Sequence, residues 1–329
     1  MKNKLVIVGF VFLAVVAAAA WLSSRGGAPA PAPAPTPTPI AAAPAPIAVS
    51  PFLPPPAGVS FSFVFAPEEF PTVLPLFTIQ QAPPSAQALQ AVASSLGFAT
   101  PPSTTPVDSG QYYVWRNSAG ASFSYQTEPP VASFIQQISL AGEAPTSEVA
   151  SAVVLEFLQR YGLVDPSFDL ALVGTERLVV NGQNAQPARG SAGNVVSVAH
   201  QLTISGFPLY VRTGARAGVS SLVGPQGAIR SVSLTLSPAV TRNEDVGLIS
   251  LQSAMQALAA GRGILIDITE NTLTETTARA SFTGVAVDVV QLAYLEDPAG
   301  ILRPVFVFSG NATGGGGTVR ATYMLSATP

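Results

Sequence analysis

Residues 5–22 read LVIVGFVFLAVVAAAAWL, 18 uncharged apolar positions in a row. As a helix the run spans about 27 Å at ~1.5 Å per residue, close to the ~30 Å hydrocarbon core of a bilayer. Lys2 and Lys4 precede it and Arg25 follows, so the positive-inside tendency places residues 1–4 in the cytoplasm and the rest outside. The expected location is the cell membrane, single-pass, with an extracytoplasmic C-terminal domain. Ala18 to Ala20 offer an alternative, a small-residue cleavage site that would release a secreted chain. Signal-peptide cores of ~7–15 residues are shorter than this run, which favours a retained anchor.

Residues 28–56 hold 12 prolines in 29 positions and no charge. Alternating proline cannot donate backbone hydrogen bonds and favours polyproline II, with a reach of about 90 Å at ~3.1 Å per residue. Residues 23–57 therefore read as a semi-rigid stalk rather than a ligand for a proline-binding domain. The first 57 residues are thus removed from any core, and folding is left to residues 58–329.

Composition narrows the chemistry. The net charge is −3 and only 10% of the chain is charged, with no cluster of Lys and Arg of the kind nucleic acid requires. Cysteine is absent, which excludes thiol nucleophiles, disulfides and zinc-thiolate sites. Lys2 and Lys4 are the only lysines and His200 the only histidine. Schiff-base chemistry, phosphate loops and multi-histidine metal centres are excluded with them. The reading is a non-enzyme that needs no cofactor and no metal.

Three capped helices are expected. SAQALQAVASSLG starts at Ser85, TSEVASAVVLEFLQRYG at Thr146 and SLQSAMQALAAG at Ser250, each opening on a hydroxyl residue and closing on glycine. The second carries Val149, Val153, Leu155, Phe157, Leu158 and Tyr161 as its apolar face. Strands follow each helix: QYYVWRN, ASFSYQT and VASFIQQIS after the first; TERLVVN, VVSVAHQLTIS, FPLYVRTGA, VSSLVG and IRSVSLTL after the second; ILIDIT, RASFTG, VAVDVVQLAYL, ILRPVFVFSG and TVRATYMLSA after the third. The expected fold class is α+β, with each helix followed by an antiparallel meander and the units packed side by side. The expected units are 58–140 and 141–329, the latter divisible at 240.

EFLQRYGL, VAHQLTISGFPLYV, GPQGAIRSVSLTL, SLQSAMQAL and VVQLAYLEDPAGILRPVFVFSG, followed by TYMLSA, resemble in that order the elements of PepSY-like domains and of YycH/YycI-type proteins. The resemblance covers about residues 146–329 and is carried by turns and core positions. It implies a membrane-tethered extracytoplasmic module without catalytic residues, which modulates a partner such as a sensor kinase or inhibits a protease in the manner of a propeptide. No functional residue is carried over from it. The long proline stalk departs from the short linkers expected of kinase regulators.

Each chemical candidate has a structural counterpart. His200 alternates with Val196, Val198, Leu202 and Ile204 on one strand face, where a packed, hydrogen-bonded histidine is expected rather than a triad base, since no G-x-S-x-G elbow exists. Asp267, Glu270 and Glu275 lack the calcium-loop spacing. SGNATGGGGTVR, residues 309–320, is followed by a strand pattern rather than a helix and reads as a hairpin loop. Glu296 and Asp297 in LEDPAGILRP sit on a proline-glycine turn, where solvated carboxylates at an exposed tip are expected. The binding-face candidates are Tyr112, Trp115 and Arg116 in one strand and Tyr210 and Arg212 in another, residue types enriched at interface hot spots.

The functional expectation is a non-catalytic binding or regulatory module acting on a protein partner of the cell envelope. A structural role in the envelope or cell wall is the first alternative, and a carboxylate-dependent hydrolase the second.

Overall fold

The computed structural model describes residues 58–329 apart from 67–68, 81–83, 108–109, 129, 182–183, 190–192, 236–238, 271–281 and 315–316. The expected anchor and stalk lie outside the described residues. Among the described residues no helix is long and apolar enough to cross a membrane.

Helices form at the three capped segments: α1 (Ala86–Ser95), α2 (Ser147–Arg160) and α3 (Leu251–Ala259). The hydroxyl of Ser85 accepts the Ala88 N–H at 3.1 Å, Thr146 that of Val149 at 3.3 Å, and Ser250 that of Ser253 at 3.1 Å. Each cap satisfies an otherwise unpaired donor and stabilises its helix by about 1 kcal/mol. On α2 the buried stripe is Ala150, Ser151, Val154 and Leu158, while Val149 and Leu155 are exposed. The helix is therefore rotated from the face its large residues suggested, and Ala150 and Ser151 bring it close to the sheet.

Strands dominate the described residues: β1 (Ser60–Phe63), β2 (Val73–Ile79), β3 (Ser103–Val107), β4 (Gly110–Arg116), β5 (Ser122–Gln126), β6 (Val131–Ile135), β7 (Asp169–Asn181), β8 (Asn184–Pro187) and β9 (Val195–Ile204). They continue with β10 (Phe207–Tyr210), β11 (Gly218–Val223), β12 (Ile229–Thr235), β13 (Val240–Gly247), β14 (Ile264–Glu270), β15 (Gly284–Glu296), β16 (Ile301–Gly314) and β17 (Gly317–Ser326).

One half is antiparallel throughout, in the order β3-β4-β5-β6-β12-β11-β9-β7-β8. The other runs β14-β17-β16-β15, with β1 and β10 both parallel to β15 and with β2 between β13 and the start of β16. Hydrogen bonds connect all the strands into one mixed sheet network. This overturns the expected α+β arrangement of helix-plus-meander units. β6 pairs with β12 and β2 with both β13 and β16, so sheet partners come from segments far apart in the chain. Local periodicity marks a strand and its faces but carries no information about such distant partners.

The core of the first half gathers Leu89, Trp115, Phe123, Val154, Leu158, Val198 and Val232 under α1 and α2. The second half has a large core under α3, with Leu258, Tyr294, Phe306, Phe308 and Tyr323, and a smaller one on its opposite face, with Tyr210, Leu295, Val305, Val307 and Met324. Burial on both faces explains why β15 to β17 read as nearly continuous apolar runs rather than alternating ones.

Register shifts between Val287 and Val289, where β15 pairs with β16 at Gly310 and Ser309. A Cβ on Gly310 would stand 2.2 Å from the Ala286 carbonyl oxygen and 2.6 Å from the Val287 Cα, so only glycine fits at this irregularity. Gly310→Ala is expected to destabilise the protein by about 1–3 kcal/mol, the usual cost of overpacking. The measurement is the midpoint of denaturant unfolding at constant m-value, and an unchanged midpoint contradicts the close approach.

Candidate functional site

Alternation along β9 turns His200 towards α2, and the small stripe of α2 brings Ser151 over it. The His200 Nε2 and Ser151 Oγ are hydrogen-bonded at 2.9 Å. His200 is 3% exposed, and burial lowers its pKa below the ordinary histidine value. In register it lies between Leu172 of β7 and Val219 of β11. A serine beside a histidine is two-thirds of a hydrolytic triad, but a working triad also needs a group orienting the other ring nitrogen and access to substrate. Nδ1 has no hydrogen-bond partner, and neither does the nearby Ser221 Oγ. The pair is a packed polar contact, as expected for His200.

The corner at residues 296–301 differs from its expectation. Asp297 is buried, not solvated at an exposed tip. Its Oδ1 accepts the N–H groups of Ala299 at 2.8 Å and Ile301 at 2.9 Å, and its Oδ2 accepts Arg303 Nε at 2.7 Å. The carboxylate thus replaces water as the acceptor that closes the β15–β16 turn, an Asx-type role a tip position does not reveal. Glu296 is half-buried, and burial raises its pKa, offset in part by the charge and backbone N–H of Arg212. Arg212 also donates to Glu128 Oε1 at 2.9 Å, both side chains being close to half exposed, so this pair contributes little stability. The result is a charged seam in which Arg212 joins the turn after β5 to the end of β15.

The five binding-face candidates do not form one surface. Trp115 is 1% exposed inside the first core, its Nε1 donating to Gln90 Oε1 at 3.0 Å. Tyr210 is 1% exposed in the smaller core, its hydroxyl accepting from Gln291 at 3.2 Å. Both serve as interior aromatics whose polar ends find a partner, and this corrects their assignment to a surface. Tyr112 is half-buried opposite Gln126, two positions from Glu128, so it and Arg212 come towards the same seam. Arg116 is exposed at the other end of β4.

Of the carboxylate cluster, Asp267 sits at a register shift in β14, while Glu275 lies outside the described residues. Among the described residues no three His, Cys, Asp or Glu side chains group as metal ligands. The glycine-rich segment after Ser309 is mostly strand, with β16 and β17 paired out to Gly314 and Gly317. The recess between Leu163, Phe168, Leu202 and Leu234 is shallow and leaves no room for a water-sized sphere, far short of the ~300–1,000 Å³ of small-molecule sites. The surface feature that the sequence pattern does not mark is the first half of β7: the pattern points to TERLVVN alone, whereas β7 begins at Asp169 and is exposed along most of its length.

No protein-family model matches the chain, and no curated relative matches it. Among solved structures, an uncharacterized protein from Eubacterium rectale is similar at 11% identity and a TM-score of 0.43, over 78% of this chain and 84% of that one. The YpeB C-terminal domain of Bacillus megaterium is similar at 14% identity and a TM-score of 0.33, over 74% of this chain and 92% of that one. The resemblance to PepSY-like and YycH/YycI-type proteins rests on the residues that carried it.

The lowered pKa of His200 has a defined pH consequence. The unfolded chain, with His200 near the ordinary ~6.5, takes up a proton that the folded chain resists. The stability from burying neutral His200 is complete above that value and is lost as pH falls towards the folded one. Glu296, with its raised pKa, acts in the opposite sense, so the comparison must be made against a variant. The melting temperature of wild type is expected to fall more steeply between about pH 6.5 and 5 than that of His200→Gln; parallel pH profiles contradict the assignment.

Proposed function

We propose that the chain is a membrane-tethered, extracytoplasmic, non-catalytic module that regulates a protein partner of the cell envelope. The observation that carries this reading is the commitment of His200 and Asp297 to structure. The lone histidine is capped by Ser151 in the interior, and Asp297 of the adjacent carboxylate pair is held by two backbone N–H groups and Arg303. The apolar run at residues 5–22 and the proline stalk support the tether and the distance from the membrane. A domain whose only histidine and buried aspartate are engaged in this way, joined by a proline-rich segment to an apolar anchor, acts by what it binds.

The test is affinity isolation of the full-length chain from detergent-solubilised envelopes, together with an assay for hydrolysis of ester, peptide and glycoside substrates. A protein partner retained in fixed ratio, with no turnover, is expected. Recovery of wall polymer alone contradicts the regulatory reading in favour of a structural envelope role, and turnover lost in His200→Ala contradicts the non-catalytic one.

A further inference from the structure

β7 pairs with β9 along residues 169–178 and with β8 only from Leu178 to Asn181. On its side away from β9, residues 169–176 have no strand beside them among the described residues. The backbone N–H and C=O groups of such an edge form a template for another extended chain. The open stretch ends at Arg177, whose carbonyl accepts the Ala188 N–H at 2.8 Å.

Other edges carry the usual protection. β3 contains Pro106, β13 carries Arg242, Glu244 and Asp245, β14 carries Asp267, and β1 and β8 have four residues each. Residues 170–175, LALVGT, have neither charge nor proline. A register shift between Leu172 and Gly174 bends the strand on its paired side, and Leu172 and Val173 each remain 50% exposed.

Of the nine large apolar side chains exposed among the described residues, five lie on α2 and β7: Val149, Leu155, Leu172, Val173 and Val179. Leu155 of α2 continues the strip beside the strand, whereas Val149 lies on another face of the helix. Ser147 accepts the Thr175 hydroxyl at 2.9 Å, Ser151 bonds His200 opposite Leu172, and Leu155 is next on the same i, i+4 row. An exposed apolar strip alongside an unpaired ladder is the combination used for peptide strand addition.

Charge decides between occupants. Asp169 and Glu176 are exposed, one at each end of the open stretch. A second copy pairing antiparallel across the edge in the register that spans it would set Asp169 opposite Glu176 twice, and like charges directly opposite destabilise a strand pair. A shift by one residue would need Arg177, whose guanidinium donates to the Pro145 carbonyl at 3.1 Å. We propose that the open edge of β7, residues 170–175, is a strand-addition site for an extended apolar segment of another protein, flanked by basic residues. The reading of the chain as a protein-binding module underlies only the claim that the segment belongs to a protein.

The probe is a synthetic peptide of alternating valine and threonine with an arginine at each end, added to the full-length chain in detergent. It is expected to slow amide hydrogen exchange at residues 170–175 and to bind Leu172→Lys roughly tenfold more weakly or worse, with the melting temperature of the variant unchanged. An otherwise identical peptide ending in glutamate is expected to bind more weakly than the arginine-ended one. Protection elsewhere, no protection, or equal binding of the two peptides overturns the site. Self-association of wild type that Leu172→Lys abolishes also overturns it, by making a second copy the occupant. An envelope partner retained equally by wild type and Leu172→Lys refutes the site while leaving the regulatory reading intact; peptide protection at β7 without any envelope partner does the reverse.

Discussion

The two halves of the sheet meet at β10, a strand of four residues. Phe207 and Pro208 pair antiparallel with Ile204 and Thr203 of β9, while Leu209 and Tyr210 pair parallel with Tyr294 and Leu295 of β15. The switch follows from the tight turn before it, where Ser205 and Gly206 both have positive φ, at 52° and 81°. Two such residues give the primed turn that matches strand twist. Because β10 is shared, displacing one half from the other breaks ladder hydrogen bonds and pulls Tyr210 out of the cluster it forms with Leu295 and Val305. The charged seam of Glu128, Arg212 and Glu296 lies just beyond that point.

The conspicuous buried polar residues also tie elements of the fold together. With so few charges, several turns and interior contacts of the chain rest on a handful of buried polar groups. His200 anchors α2 through Ser151, and Asp297 closes the turn that returns β15 into β16. Tyr294, also buried, donates to the Pro75 carbonyl at 2.8 Å and so ties β2 to the central strands. A buried hydroxyl without such a partner would cost about 1–3 kcal/mol.

Local features of this fold were legible and distant ones were not. Ser85, Thr146 and Ser250 announce helix starts because a cap is a contact between residues three apart. The placement of His200 followed from alternation, and the turn at 297–300 from its proline and glycine. VLPLFTI, which forms β2, is absent from the strands expected from the sequence, and it carries Pro75 within it. Alternation separates the two faces of a strand without saying whether one or both are covered, so Trp115 and Tyr210 read as surface residues. The burial of Asp297 depends on Arg303 folding back across the hairpin, a side-chain contact that spacing does not encode. The mixed pairing around β10 and β15 joins segments about 85 residues apart, beyond the reach of any local pattern.

Trp115 is the only tryptophan after Trp21, and it lies in the core of the first half. Its fluorescence in residues 58–329 reports on that half alone, whereas far-ultraviolet circular dichroism reports on both. If β10 makes the two halves one cooperative unit, denaturant transitions followed by the two signals coincide in midpoint and slope. Two separated transitions, with the tryptophan signal following only one of them, would contradict the shared strand as the element that unites the fold.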